Sequence, residues 1–440
     1  MKKIISILLI ITTICGLCVS ITGCKKETTT TTPNTQTEMP SDSPTGNISD
    51  TKQDEIKVTN EIFSEFNVSL MSFLNENIKE GDNYMASPLS LRYALALATI
   101  GANNDTQKGL LEATKFKSIE EYIAWCESVN KIVEDFDKKL ELDKKIFEEN
   151  YGKYVTDENT PDRKLIVANS IWHNESYGLL EKAYINNVKE HFNSEVQNLP
   201  ISEFKTKINN WVNEKTNGLI SELFSQELPS DLNTMLINTL YLKSAWVSSF
   251  EEYNTKEADF TTYKNEKVKK DFMYQQNDFE YYEDKDLQVV IIPLYGDINV
   301  AFAIGDTKNI ATAITEAKEE LVSVTIPKFE IETTIEGDTI LKYLRQNGAT
   351  LALSDDADFS SMIKDYKIKI SKIIQKTKIK VDEEGLEAAA VTAISMDNAT
   401  ALPMNPPKPK EFKADKPFTF YIYSDNNLQS ELLFYGAVNQ

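Results

Sequence analysis

Histidine is almost missing from this chain: 440 residues contain two, His173 and His191. A serine or cysteine hydrolase needs a base beside its nucleophile, and a zinc site usually draws on several His or Cys, so the supply argues against both chemistries. His173 follows a strand-like run in Trp172-His173-Asn174, and His191 sits in the charged helical stretch Val188-Lys189-Glu190-His191-Phe192. Both read as surface or satisfied structural histidines. Cysteine is equally scarce. Of four, Cys15, Cys18 and Cys24 lie in the first 24 residues and only Cys126 remains beyond them. Once the leader takes Cys15 and Cys18 with it and Cys24 is acylated, an intramolecular disulfide is excluded. Cys126 falls in the apolar helical patch Tyr122-Ile123-Ala124-Trp125-Cys126 and reads as a buried structural thiol rather than a reactive one. None of the 15 glycines forms a phosphate-cradling loop, and the acidic residues are scattered without metal-ligand spacing. No enzymatic activity, metal or cofactor is therefore expected.

Positive charge is also short. Lys and Arg number 47 against 68 Asp and Glu, a formal charge of -21 that becomes -23 once Lys2 and Lys3 leave with the leader. Such a chain is soluble and disfavours nucleic acid or anionic lipid as a direct partner. What it does have is apolar content: 41% hydrophobic and 10% aromatic residues, enough for a sizeable core over this length.

The N-terminus is organised for export. Lys2-Lys3 followed by the apolar run Ile4 to Val19 reads as a signal peptide, too short and too N-terminal to be taken first as a membrane span. It ends in Ile21-Thr22-Gly23-Cys24, which resembles a bacterial lipobox; residues 1–23 would be removed and Cys24 lipidated. Residues 24–54 are rich in Thr, Pro, Ser and Asn, with almost nothing apolar to bury, and read as a disordered tether. The folded domain is expected over 55–440, outside the cytoplasm at the cell surface, touching the membrane only through its lipid and most simply a monomer.

Along that domain, Ile62, Phe63, Phe66, Leu70, Phe73 and Leu74 recur at helical spacing, and Leu91 to Ala98 reads as a more buried helix. Glu120 to Tyr154 is helical in composition and heavily charged. Strand signals begin at Ile166 to Trp172 and continue at Met235 to Leu242; Val289 to Ile292 and Val300 to Ile304 flank Tyr295-Gly296-Asp297 as a hairpin. Phe418 to Tyr423 and Leu432 to Val438 are the last strands, with Asp425-Asn426-Asn427 expected as the turn. Helices first and strands later suit an α+β fold.

The segment Val381 to Met396 stands apart. Even positions carry Leu386, Ala388, Ala390, Thr392, Ile394 and Met396, none charged, whereas Glu387, Ser395 and Asp397 are odd. Successive strand side chains alternate faces, so the even set is buriable in a sheet. Yet Asp397-Asn398-Ala399-Thr400 and then Pro403, Pro406, Pro407 and Pro409 lack what a central strand needs. The reading is an exposed loop, about 383–410, that conceals a strand.

Glu383-Glu384-Gly385 followed by Glu387-Ala388-Ala389-Ala390 resembles the reactive-loop hinge of serpins, protease inhibitors that trap their target by loop insertion. Further blocks agree in order: Ala86-Ser87-Pro88-Leu89-Ser90-Leu91, Ile208 to Asn213, Asn238-Thr239-Leu240-Tyr241-Leu242-Lys243 with Trp246, Ile326-Pro327-Lys328-Phe329, Ala357-Asp358-Phe359-Ser360, and at the end Asp415 to Phe418 with Leu433 to Gly436. The resemblance implies a large, mostly antiparallel central sheet, further sheets, helices clustered around them and an exposed reactive-centre loop. It also implies a suicide substrate: the protease cuts the loop as an acyl-enzyme, and the freed segment from Leu386 enters the sheet before deacylation. On that analogy Ser87, Ser90, Asn238 and Gln375 lie hydrogen-bonded where the sheet parts, with Trp246 near its opening end. Glu383 and Glu384 would keep the hinge hydrated, and Leu386, where the family usually has Thr or Ser, would slow insertion. Family spacing from Gly385 puts the scissile bond at Ala399-Thr400; counting back from Lys416-Pro417-Phe418 gives Met404-Asn405. Ala399 suits an elastase-like or subtilisin-like serine protease, with papain-like cysteine proteases also compatible. Two other readings stand beside this one, a non-inhibitory serpin acting as carrier or decoy and a solute-binding lipoprotein.

Overall fold

Ser64 accepts a hydrogen bond from the Asn67 N–H and starts helix α1, Glu65–Asn77, whose inner face is Phe66, Leu70, Phe73 and Leu74. Ile62 and Phe63, grouped with this helix by periodicity, precede its cap. The structure is a computed structural model that describes residues 62–152, 163–386, 408–426 and 429–440, all within one unit of the chain. After α1 come β1 (Tyr84–Ala86), α2 (Pro88–Gly101), α3 (Asn104–Thr114) and α4 (Ile119–Tyr151). Helix α2 is buried along its whole length, with Ser87 as its cap and Pro88 in its first turn. Helix α4 runs 33 residues; Tyr122, Trp125, Val129, Ile132, Phe136 and Leu140 form its buried stripe, so the charged 120–151 stretch is one amphipathic helix. Cys126 lies fully buried on that stripe, and burial pushes its thiol well above the ordinary range.

The chain continues through β2 (Lys164–Asn174), α5 (Lys182–Phe192), β3 (Glu195–Leu199), α6 (Ile201–Lys215), β4 (Thr234–Ala245), β5 (Lys256–Thr261), β6 (Lys267–Glu283), β7 (Leu287–Leu294), β8 (Ile298–Gly305), α7 (Ile310–Glu316), β9 (Lys318–Pro327), β10 (Phe329–Ile335), α8 (Asp338–Gln346), β11 (Lys372–Val381), β12 (Gly385–Leu386), β13 (Lys410–Lys413), β14 (Phe418–Asn426) and β15 (Gln429–Val438). Strands β7 and β8 form the expected hairpin: Leu294 pairs with Ile298, and Gly296 and Asp297 turn the chain at φ of +85° and +57°. Strand β14 extends further than turn propensity suggests. Asn426 pairs with Gln429, which puts Asp425 and Asn426 in the ladder.

Nine strands form one sheet in the order β1-β15-β14-β8-β7-β6-β9-β13, with β5 on β6; six form the other, β10-β11-β12-β4-β2-β3. In the six-stranded sheet only β2 with β3 and β11 with β4 run parallel, so it is mostly antiparallel as the resemblance implied. Helix α2 shares its core with both sheets: Leu91, Leu95 and Leu97 join Leu236 and Leu240 of β4 and Phe420 and Leu433 of the large sheet. The other face of the six-stranded sheet is covered by α6, whose Phe204, Ile208, Trp211 and Val212 meet Trp172, Met235, Ile237 and Ile374. Strands β2 and β4 are buried on both faces between these two apolar layers, which makes their register strongly specified.

Candidate functional site: a split in the six-stranded sheet

Strands β11 and β4 touch directly over only four positions, from Lys372 opposite Met235 to Gln375 opposite Asn238. Beyond Gln375 their facing edges separate. At the far end Gly385 and Leu386 stand between them, Leu386 opposite Val381 on one side and Ser244 on the other, Gly385 opposite Ala245. The sequence permits this approach only because residue 385 is glycine: a Cβ there would lie 2.2 Å from the Ser244 carbonyl oxygen, at a φ of +156°. Leu386 is fully buried in the core that holds Val381, Ile379 and Leu242.

The hinge is tied down from both sides. Trp246 N–H donates to the Glu384 carbonyl and Phe250 N–H to that of Glu383, each at 2.9 Å, and the Trp246 indole Nε1–H donates to the Asp382 carbonyl at 2.9 Å. Glu383 is buried. Its Oε1 accepts from the Thr255 hydroxyl at 2.7 Å and its Oε2 meets the Lys328 Nζ at 2.7 Å. Burial pushes its carboxyl up, but Lys328, Thr255 and its own backbone N–H together hold it below the usual carboxylate range. This corrects the expectation of a hydrated hinge: Glu383 is enclosed and Glu384 half-buried. It also moves the start of the loop, since residues 383–386 are packed and Lys410 already belongs to β13. Leu386, expected to enter the sheet after cleavage, is in it from the outset. The sequence carried no local sign of Thr255, Phe250 or Lys328 as hinge partners, because they converge from the segment after β4 and the turn after β9.

At the opposite end of the split the Gln375 side chain bridges three groups. Its Oε1 accepts from the Ser87 N–H at 2.9 Å, and its Nε2 donates to the Ser87 carbonyl at 2.8 Å and to Asn238 Oδ1 at 3.4 Å. Ser87 Oγ in turn accepts from the Ser90 N–H at 3.1 Å. Ser90 Oγ, Asn238 Nδ2 and Asn169 Oδ1 are buried without a hydrogen-bond partner, a local excess of unmet polar groups under the seam. The structure therefore brings Ser87, Ser90, Asn238 and Gln375 together at one end and Trp246, Glu383, Glu384, Gly385 and Leu386 at the other. Glu387, Ala388, Ala389, Ala390, both scissile-bond candidates and Cys24 lie outside the described residues.

Of the histidines, His173 is buried with Nδ1 2.9 Å from Thr234 Oγ1, and His191 pairs with Glu127 at 3.0 Å. Among the described residues no group of three or more His, Cys, Asp or Glu could hold a metal, and no helix is long and apolar enough to cross a membrane.

A sheet split between β4 and β11 and a hinge entering the split define a class, and comparison with known proteins names it. The description "Serpin (serine protease inhibitor)" matches residues 61–440, and the chain belongs to the serpin family. An uncharacterized serpin-like protein of Methanosarcina acetivorans is 30% identical over 376 residues, covering 81% of each chain. Human Serpin B4 is 26% identical over 85% of this chain and 98% of its own. Among solved structures, Serpin48 of the insect Tenebrio molitor, titled a highly specific serpin, superposes with a TM-score of 0.67 at 27% identity over 85% of this chain and 96% of its own.

Proposed function

We propose that this serpin is an extracytoplasmic, lipid-anchored inhibitor of serine proteases that acts as a suicide substrate. The observation that carries the reading is the register of β12. Continued antiparallel from Leu386, a strand inserted between Val381 and Ser244 brings Thr392 opposite both Gln375 and Asn238, because the two neighbouring registers converge on the same residue. Even-numbered residues then follow Leu386 into the core beneath the sheet, and odd ones face α6. The Thr392 hydroxyl arrives where Asn238 Nδ2 lacks a partner. Insertion past Lys372 and Met235 consumes the chain to residue 395, which places the bond to be cut beyond it and favours Ala399-Thr400, with Met404-Asn405 as the alternative.

Mechanistically, the target attacks this bond and remains esterified to the residue preceding it. Zipping then proceeds from a strand end that is already seated, so the nucleating step is complete before cleavage and only propagation remains. Each added residue pairs with both β11 and β4. The acyl-enzyme is carried toward the Gln375 end, which separates the protease from where it docked. Ala399 next to the cut suits an elastase-like or subtilisin-like specificity pocket, and papain-like proteases are the second class to try. Cys24, the signal peptide 1–23 and the tether 24–54 support a cell-surface anchor on sequence grounds. Incubating residues 55–440 with subtilisin and with elastase tests the function. A covalent complex surviving detergent electrophoresis is the expected result, and sequencing its released fragment distinguishes Thr400 from Asn405 as the new N-terminus. Complete nicking without complex would assign the carrier or decoy role instead.

A further inference from the structure

The long helix α4 plays no part in the trap as described, yet its second half reaches the residues that receive the hinge. Arg163, just before β2, is buried at 5% exposure. Its guanidinium lies 3.7 Å over the Tyr295 ring, and its NH1 pairs with Asp143 of α4. One turn earlier on α4, Lys139 pairs with Asp297, and Phe136 packs so tightly on Gly296 that a Cβ there would sit 2.4 Å from the ring. Helix α4 thus holds Gly296 and Asp297 of the β7–β8 tip directly and Tyr295 through Arg163. The tip, in turn, is bonded to the end of β4: Tyr295 N–H donates to the Ala245 carbonyl at 3.0 Å, Ser244 Oγ donates to the Tyr295 carbonyl at 2.8 Å, Val247 N–H donates to the Pro293 carbonyl at 3.0 Å, and Trp246 bridges to Leu294. Ser244, Ala245 and Trp246 are the residues whose other edge holds Leu386, Gly385 and Glu384.

We propose that Arg163 is a positioning residue for the hinge: clamped between Asp143 and Tyr295, it fixes the hairpin tip against the end of β4 and so sets whether Gly385 and Leu386 stay seated. The physical reason is that the tip is a three-residue loop turned through two positive φ values, with little of its own to fix its tilt. A planar cation stacked on Tyr295 and paired to a helix supplies that constraint, which a lysine cannot reproduce in full. Its consequence for trapping rests on the inhibitor reading; the hinge coupling does not.

Hydrogen exchange resolved to peptides covering Trp246 and Phe250 reads the coupling directly, because both amides donate to the hinge. Arg163→Ala is expected to speed their exchange by about tenfold, the scale of coupling between packed neighbouring sites. Arg163→Lys, keeping the ion pair but not the stack, should fall between the two, and Lys139→Ala, at a half-exposed side chain that leaves the core intact, should also loosen these amides. Exchange in α2 around Leu91 should not change. Wild-type exchange at Trp246 and Phe250 in folded Arg163→Ala and Lys139→Ala would overturn the proposal, as would equal acceleration at Leu91. A wild-type protein that is nicked without trapping would sink the inhibitor reading while leaving this exchange result standing.

Discussion

Replacing Leu386 should release the hinge rather than unfold the protein. Burying this side chain contributes about 2 kcal/mol, and four of the hydrogen bonds around residues 382–385, two from Trp246, one from Phe250 and one from Asp382 N–H to the Gly385 carbonyl, add about 1 kcal/mol each. The charge-assisted contacts of Glu383 add about 2 kcal/mol. Ordering Asp382 to Leu386 opposes this by about 1–2 kcal/mol per residue. The two sides agree to within a few kcal/mol, so the seated hinge is held by a small margin. Leu386→Thr removes about 1 kcal/mol of burial and should populate the released hinge several-fold more. Leu386→Asp would bury an unpaired carboxylate at a cost of several kcal/mol, which the chain avoids by expelling the hinge. The loss is then capped at the hinge margin. A glutamate-specific endopeptidase is the assay, since Glu383 and Glu384 are protected only while the hinge is seated. Leu386→Asp should be cut on the order of 100-fold faster than wild type, with a melting temperature lower by only a few degrees. If cleavage at Glu383 and Glu384 stayed at the wild-type rate while the melting temperature collapsed as for a core substitution, the two-position hinge would be refuted.

Glu383→Gln should show the same susceptibility more weakly. Because the wild-type carboxyl is held below its unfolded value of about 4.3, its stabilisation is present above that pH and is lost as pH falls further; acid release of the hinge should disappear in the variant, as endopeptidase-resistant fractions across pH 3 to 5 will show. Gln375→Ala removes a side chain that serves Ser87 and Asn238 together and should lower unfolding free energy by about 2 kcal/mol in urea titrations, whereas Gln375→His should retain bridging and introduce a pH dependence near pH 6.5. Glu431, buried on β15 against the Trp125 indole, is pushed up to about 7 chiefly by burial, partly offset by Arg92, Trp125 and Asn67. Its folded value exceeds the unfolded one, so the folded state retains a proton. Stability should be greatest below about pH 4.3 in this contribution and decline as pH rises from there to about 7, by at most about 4 kcal/mol. Glu431→Gln should flatten that slope in denaturant series at pH 5 to 8.

The uncharged even-numbered set from Leu386 to Met396, the glycine at 385 and the scarcity of histidine and cysteine were legible in the chain itself, because strand parity and side-chain chemistry are local properties. So were α1, the buried α2, the helical character of the α4 stretch and the β7–β8 hairpin; the apolar stripe of α4 was not. Hinge position was not. Whether Leu386 sits in water or in the core depends on Ser244, Val381 and the width of the seam between β4 and β11, strands separated by more than a hundred residues. The burial of Glu383 likewise needs Thr255 and Lys328, which become neighbours only when two sheets and their connections are in place. Sequence writes a strand-like parity into this segment; long-range contacts at Gly385 and Leu386 decide that these two residues are already in the sheet.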